Sequence, residues 1–183
     1  VVAGLIVTNT MAVWMIYPYL VVTGAGWVTD VTSRRPLIQD CVGDDGAAVS
    51  VNGGSLSIYD CVFSSNQAIE AGQSGGAIIA SGDTTLSVER SEFSNNRSVQ
   101  FGGAVHLVGS GTDAQFIDCL FANNESSFGG AVHVSEGSTC SMNLAEFSSN
   151  TSGDGGRWGS EFWCSNSHRC CWESNHCWQH HKY

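Results

Sequence analysis

Gly-Gly-Ala followed by Ile or Val occurs three times, beginning at Gly75, Gly102 and Gly129, with 27 residues between successive copies. Phe-x-x-Asn is interleaved with it, as Phe63/Asn66, Phe93/Asn96, Phe121/Asn124 and Phe147/Asn150, the phenylalanines standing 30, 28 and 26 residues apart. Two motifs in fixed alternation at this period mark a repeat architecture, in which one small unit is stacked on copies of itself. A unit this short holds two or three strands and no crossover helix, and it has too few apolar residues to bury a face alone.

Aligning the units on the phenylalanine exposes further columns. Seven positions before it stand Leu56, Leu86, Ala114 and Cys140, and five before it stand Ile58, Val88, Phe116 and Met142. Between those columns lie Ser57, Ser87, Gln115 and Ser141, so apolar and polar residues alternate as in a strand with one buried face. Two before the phenylalanine stand the small residues Cys61, Ser91, Cys119 and Ala145. A weaker unit precedes them: Ile38-Gln39-Asp40-Cys41-Val42 echoes Ile58-Tyr59-Asp60-Cys61-Val62, which places Cys41 and Cys61 in one inward column, on adjacent rungs where a disulfide is geometrically open. Gly46-Ala47-Ala48-Val49 then stands where the glycine motif is expected.

Stacking such units like over like predicts an all-β, right-handed parallel β-helix of four to five coils with a repeat of about 27 residues. Phe63, Phe93, Phe121 and Phe147 would form an internal aromatic ladder, each ring contributing about 2–3 kcal/mol through burial. The pairs Gly75-Gly76, Gly102-Gly103 and Gly129-Gly130 would be tight bends where a Cβ would clash. Asn96, Asn124 and Asn150 begin Asn-x-Ser tripeptides of the N-glycosylation type, but Asn66 is followed by Gln67-Ala68 and does not. What recurs is the asparagine itself, which points to a stacked amide ladder at a turn.

The alternation of Phe-x-x-Asn with Gly-Gly-Ala-Ile/Val over residues 37–156 resembles the repeats of chlamydial polymorphic outer membrane proteins, and is similar to right-handed β-helix repeats of other large surface proteins. The resemblance implies an extracellular or cell-surface stalk used for display and adhesion, at the outer membrane in a bacterium. Its partners would be a protein or glycan ligand and the flanking coils of the same parent chain.

The two ends read differently. Residues 1–36 carry no charge before Asp30, and 1–28 are rich in Val, Ile, Leu and aromatics. Pro18 and the turn-like Thr23-Gly24-Ala25-Gly26 favour buried strands or an end cap, with a membrane or signal segment as the other reading. From residue 157 to 183 the repeat gives way to a tail holding four of the six Trp, four of the eight Cys and four of the six His. A disordered or out-of-frame segment, a disulfide-braced cap and a metal site are its three readings, although no Cys-x-x-Cys spacing supports zinc.

Seventeen acidic against seven basic residues, with Lys182 the one lysine, argue against a nucleic-acid partner, which requires clustered cations. The pair Asp44-Asp45 within Gly43-Asp44-Asp45-Gly46 is slightly similar to the paired aspartates of polygalacturonases, where one carboxylate activates water and the other protonates the leaving sugar. The Asn-Thr-Asp, Gly-His-Gly and Arg-Ile-Lys segments of that family are missing, so a solvated turn is the simpler reading. His106 and His133 lie one coil apart and, by alternation from Val105 and Val132, face outward as an ordinary exposed column without a third metal ligand. No cofactor and no metal site is expected. Specificity would lie in the variable segments 67–74, 97–101 and 125–128, with 67–74 the longest and the best candidate for a protruding contact loop.

Overall fold

The computed structural model describes residues 36–153 in full, together with the backbone of five short strands at Gly4–Ile6, Tyr19–Thr23, Phe162–Asn166, Arg169–Trp172 and His176–Trp178. The chain is an all-β solenoid of about four turns, built from three parallel sheets, with no helix among the described residues. Each coil runs through all three. The first sheet contains Val49–Tyr59 and Ile78–Glu89, then the split pairs Val105–Val108 with Asp113–Ile117 and Val132–Ser135 with Thr139–Asn143. The second stacks Leu37–Gln39, Val62–Ser64, Glu92–Ser94, Leu120–Ala122 and Glu146–Ser148. The third stacks Val42–Gly43, Gln67–Ala68, Arg97–Ser98, Glu125–Ser126 and Thr151–Ser152.

Register places equivalent residues over one another. Leu56 pairs with Leu86, Leu86 with Ala114 and Ala114 with Cys140; Ile58, Val88, Phe116 and Met142 follow one another in the same way. The rings of Phe63, Phe93, Phe121 and Phe147 stack at 4.9 Å between centroids, with planes 4–7° apart. This near-parallel spacing falls in the range favoured by stacked aromatic pairs and matches the strand spacing of the backbone, which is about 4.8 Å. Phe116 supplies the edge contact, meeting Phe121 at 5.5 Å and 71°. Phe63, Phe93 and Phe121 are buried, and Phe147 on the last rung is partly so.

Single residues in the left-handed region turn the chain at every corner. Asp60, Arg90, Asp118 and Leu144 lead from the first sheet to the second, with φ between 46° and 56°. Asp40, Ser65, Asn95, Asn123 and Ser149 lead from the second to the third, with φ between 53° and 57°. The glycine motif makes the third corner. Gly102 has φ 60°, and an added Cβ on Gly103 would lie 2.6 Å from the amide nitrogen and 2.7 Å from the carbonyl oxygen of Glu125, one coil on. The first glycine of the pair supplies the backbone conformation and the second permits close contact between coils.

Most corner residues are Asp, Asn or Ser, whose short polar side chains tolerate this conformation best among L-residues. Arg90 and Leu144 are the exceptions, and of the two Leu144 is apolar, with φ 56° and 70% exposure. Leu144→Asn therefore removes local strain and loses little packing. We expect it to stabilise the chain by about 1 kcal/mol, with a rise in thermal midpoint of about 2–4 °C, measured by circular dichroism.

The expected alignment of Cys41 with Cys61 is corrected by the register. Leu37–Gln39 lies over Val62–Ser64, so Ile38 enters the phenylalanine column over Phe63. Cys41 then occupies the asparagine column, its amide donating to Asn66 Oδ1 at 3.1 Å, whereas the Cys61 amide donates to Ser91 Oγ at 3.1 Å. Asp40-Cys41 and Asp60-Cys61 are the same left-handed turn used at two different corners, which is why the two segments look alike. Cys41, Cys61, Cys119 and Cys140 form no disulfide with one another. Burial raises the thiol pKa of Cys41, Cys119 and Cys140, which holds these three protonated.

At the N-terminal side the first sheet continues in parallel: Leu20 pairs with Val49, and Gly4 with Tyr19. At the other end Phe162–Asn166 pairs antiparallel with Val132–Ser135, followed by Arg169–Trp172 and His176–Trp178. Most of the tail, including the side chains of its cysteines and histidines, lies outside the described residues, as does most of 1–35. Among the described residues no helix is long and apolar enough to cross a membrane.

Candidate functional site

The repeated asparagines form a continuous buried column. Asn66 Nδ2 donates to Asn96 Oδ1 at 2.9 Å, Asn96 Nδ2 to Asn124 Oδ1 at 3.0 Å, and Asn124 Nδ2 to Asn150 Oδ1 at 2.9 Å. Each acceptor oxygen also takes the backbone amide of the preceding asparagine at 2.9–3.0 Å. The second Nδ2 hydrogen goes to the carbonyl of Ile38, Phe63, Phe93 or Phe121. All four asparagines are at most 1% exposed, so the Asn-x-Ser sites at Asn96, Asn124 and Asn150 are closed to a glycan in the folded chain. The asparagine column is thus axial scaffolding, and the variable chemistry lies outside it.

On the third-sheet side, the connection over 67–74 projects between coils. Ile69 is 49% exposed, and Glu70, Ala71 and Gly72 are exposed beside it. Its base is held from both neighbouring coils. Gln73 Nε2 donates to Asp44 Oδ1 and the Ser74 amide to Asp45 Oδ1, each at 2.6 Å, while the Gln100 amide donates to the Gln73 carbonyl at 3.0 Å. The loop closes on itself through the Gln73 amide and the Glu70 carbonyl at 3.1 Å. Asp44 and Asp45 are exposed and each has an oxygen engaged in positioning this loop.

Beside the loop runs a shallow groove lined by Arg97, Val99, Glu125, Ser127, Thr151 and Gly153. Arg97 and Glu125 face each other across it at 3.5 Å, both more than half exposed. A pair this open contributes little to stability and leaves both charges available to a ligand. Loop and groove lie on the same side of the coils, with Ile69 and Val99 as apolar points among polar and charged side chains.

His106 and His133 are not the exposed column expected from alternation. They do lie on the outer face of the first sheet, His106 in register with Ile79 and His133, yet they are only 6% and 1% exposed. Phe101, immediately before a Gly-Gly pair, lies against both rings, and Phe128, in the same place one coil on, packs against Phe101. Phe101 stacks on His133 at 4.5 Å and 22°, and lies 5.3 Å from His106 and 5.5 Å from Phe128. The sequence signal was a phenylalanine five residues before each histidine, repeated at the coil spacing of 27. No group of three or more potential metal ligands occurs among the described residues.

In comparisons with known proteins, no family model matches this chain, and neither a curated protein nor a solved structure does.

Proposed function

We propose that this chain is part of a stiff β-helical spacer in a secreted or cell-surface protein, contacting a protein or glycan through the 67–74 loop and the adjoining groove. The observation that carries the reading is the division of labour within each coil. The repeated Phe and Asn side chains serve axial continuity, while the segments that differ between coils gather on one accessible side. The likeness of the repeat to polymorphic outer membrane protein repeats supports the same reading and implies an outer-membrane setting if the source is bacterial. Flanking coils of a parent chain would continue the stack.

The loop supplies the test. Replacing the tip with serines (Ile69→Ser, Glu70→Ser) leaves Asp44, Asp45 and Gln73 in place. Binding of the purified chain to cultured host cells and to an array of surface glycans is expected to fall at least tenfold, with an unchanged thermal midpoint. Equal binding by both proteins, or none by either, refutes a contact role for the loop.

A further inference from the structure

We propose that His106 and His133, together with Phe101 and Phe128, form an acid-released latch that holds the two connections into the glycine corners against the outer face of the first sheet.

The geometry is that of a closed aromatic cage around an unused proton acceptor. His106 Nε2 lies 3.0 Å from Ser135 Oγ, and that hydroxyl in turn lies 3.4 Å from the Leu107 carbonyl oxygen. With the hydroxyl donating to the carbonyl, the proton of the neutral ring sits on Nε2 and Nδ1 carries the lone pair. Nδ1 is buried and has no hydrogen-bond partner. A proton arriving there would create a donor with no acceptor, in a cation 5.2 Å from the His133 ring. Both effects oppose charging inside the cage.

Among the described residues, the elements packed around His106 bring no charged group to its ring. The first-sheet neighbour in register is Ile79, and the histidines' own strands, Val105–Val108 and Val132–Ser135, carry no other ionisable group. The overlying connections bring Val99, Gln100, Phe101, Ser127 and Phe128. The antiparallel strand Phe162–Asn166 has Cys164 as its one titratable residue. The nearest carboxylate along the chain is Glu136, exposed in the turn after Ser135.

Burial, and then the neighbouring His133, lower the His106 pKa from 6.5 to about 3. The closed form therefore has its full stability above pH 6.5 and loses it as pH falls from 6.5 toward 3, by about tenfold in the closed-to-open ratio for each pH unit. Opening moves Phe101 and Phe128 off the sheet. It breaks the bonds that tie the connections together, from the Gly102 amide to the Phe128 carbonyl and from the Phe128 amide to the Gln100 carbonyl, both at 2.9 Å. Val99 and Ser127, which line the groove, belong to the same connections, so acid would reshape that surface while the axial ladders stay intact.

Amide hydrogen exchange of the full chain between pH 7.5 and 4.5, corrected for intrinsic rates, tests the latch. The expected result is a loss of protection at the Gly102 and Phe128 amides of at least tenfold, with the Asn96 and Asn124 amides unchanged. His106→Phe fills the cage without a titratable group and should abolish the response. Constant protection down to pH 4.5, an undiminished response in His106→Phe, or parallel loss at the asparagine amides would each overturn the proposal. Phe101→Ala gives a second readout that does not depend on the folding of His106→Phe. The His106 ring followed by NMR should titrate near 6 in this variant and below 4 in the unaltered chain, and equal midpoints would also overturn the proposal.

Discussion

Asn124→Ala is expected to destabilise the chain by about 3–5 kcal/mol, enough to leave little folded protein at 37 °C. The side chain of Asn124 accepts from the amide and from Nδ2 of Asn96 and donates to Asn150 Oδ1 and the Phe93 carbonyl, all at 2.9–3.0 Å. Truncation leaves two buried donors on Asn96 without an acceptor, and each such group costs about 1–3 kcal/mol. The position within the stack provides the control. Asn66 Oδ1 accepts the Cys41 amide, so Asn66→Ala orphans only that one donor. Urea unfolding should place Asn66→Ala about 1–2 kcal/mol above Asn124→Ala in stability. Equal losses at the two positions would show that the asparagines act independently and that the column is not a ladder.

Gly103→Ala is the second large effect, with an expected loss above 4 kcal/mol or failure to fold. The new methyl carbon would sit 2.6 Å from the Glu125 nitrogen and 2.7 Å from its oxygen, and it would also overlap the Gly130 carbonyl. These are backbone atoms inside hydrogen-bonded strands, so no rotamer change relieves the overlap, and displacing them disrupts the third sheet. Gly72→Ala is a useful comparison, because its φ is 90° but the nearest atom to an added Cβ is the Gln100 side-chain oxygen at 3.9 Å. That change carries the conformational cost alone, about 1–2 kcal/mol. A soluble, cooperatively unfolding Gly103→Ala protein with a stability near that of Gly72→Ala would show that the coils do not approach as closely as described.

The core was legible because the same burial problem is solved once per coil. Phe63, Phe93, Phe121 and Phe147 recur because each rung must fill the same interior slot, and the Leu56 and Ile58 columns recur for the same reason. The left-handed corners were only half visible. Asp60, Asp118, Asn95 and Asn123 are residues suited to that conformation, but Arg90 and Leu144 stand in the same corner column and hide the pattern. In the fold the Asp44–Asp45 pair accepts bonds from Gln73 and Ser74 at the base of a loop one coil away, a contact with no local sequence signature.

Cys41 and the two histidines show most clearly where reading along the chain stops. Periodicity by itself determined the parallel stack, the inward phenylalanines and the recurring asparagines, because equal spacing in sequence becomes vertical alignment in a solenoid. Only the tertiary structure decided which corner Cys41 occupies, since near-identical pentapeptides make both turns and the choice is set by hydrogen-bond register with Val62–Ser64. Likewise, alternation assigned His106 and His133 to the outer face, but Phe101, folded back from its connection with Phe128 packed against it, covers both rings. Which face a side chain takes is a property of the strand, whereas its exposure to water depends on what other segments lay over that face.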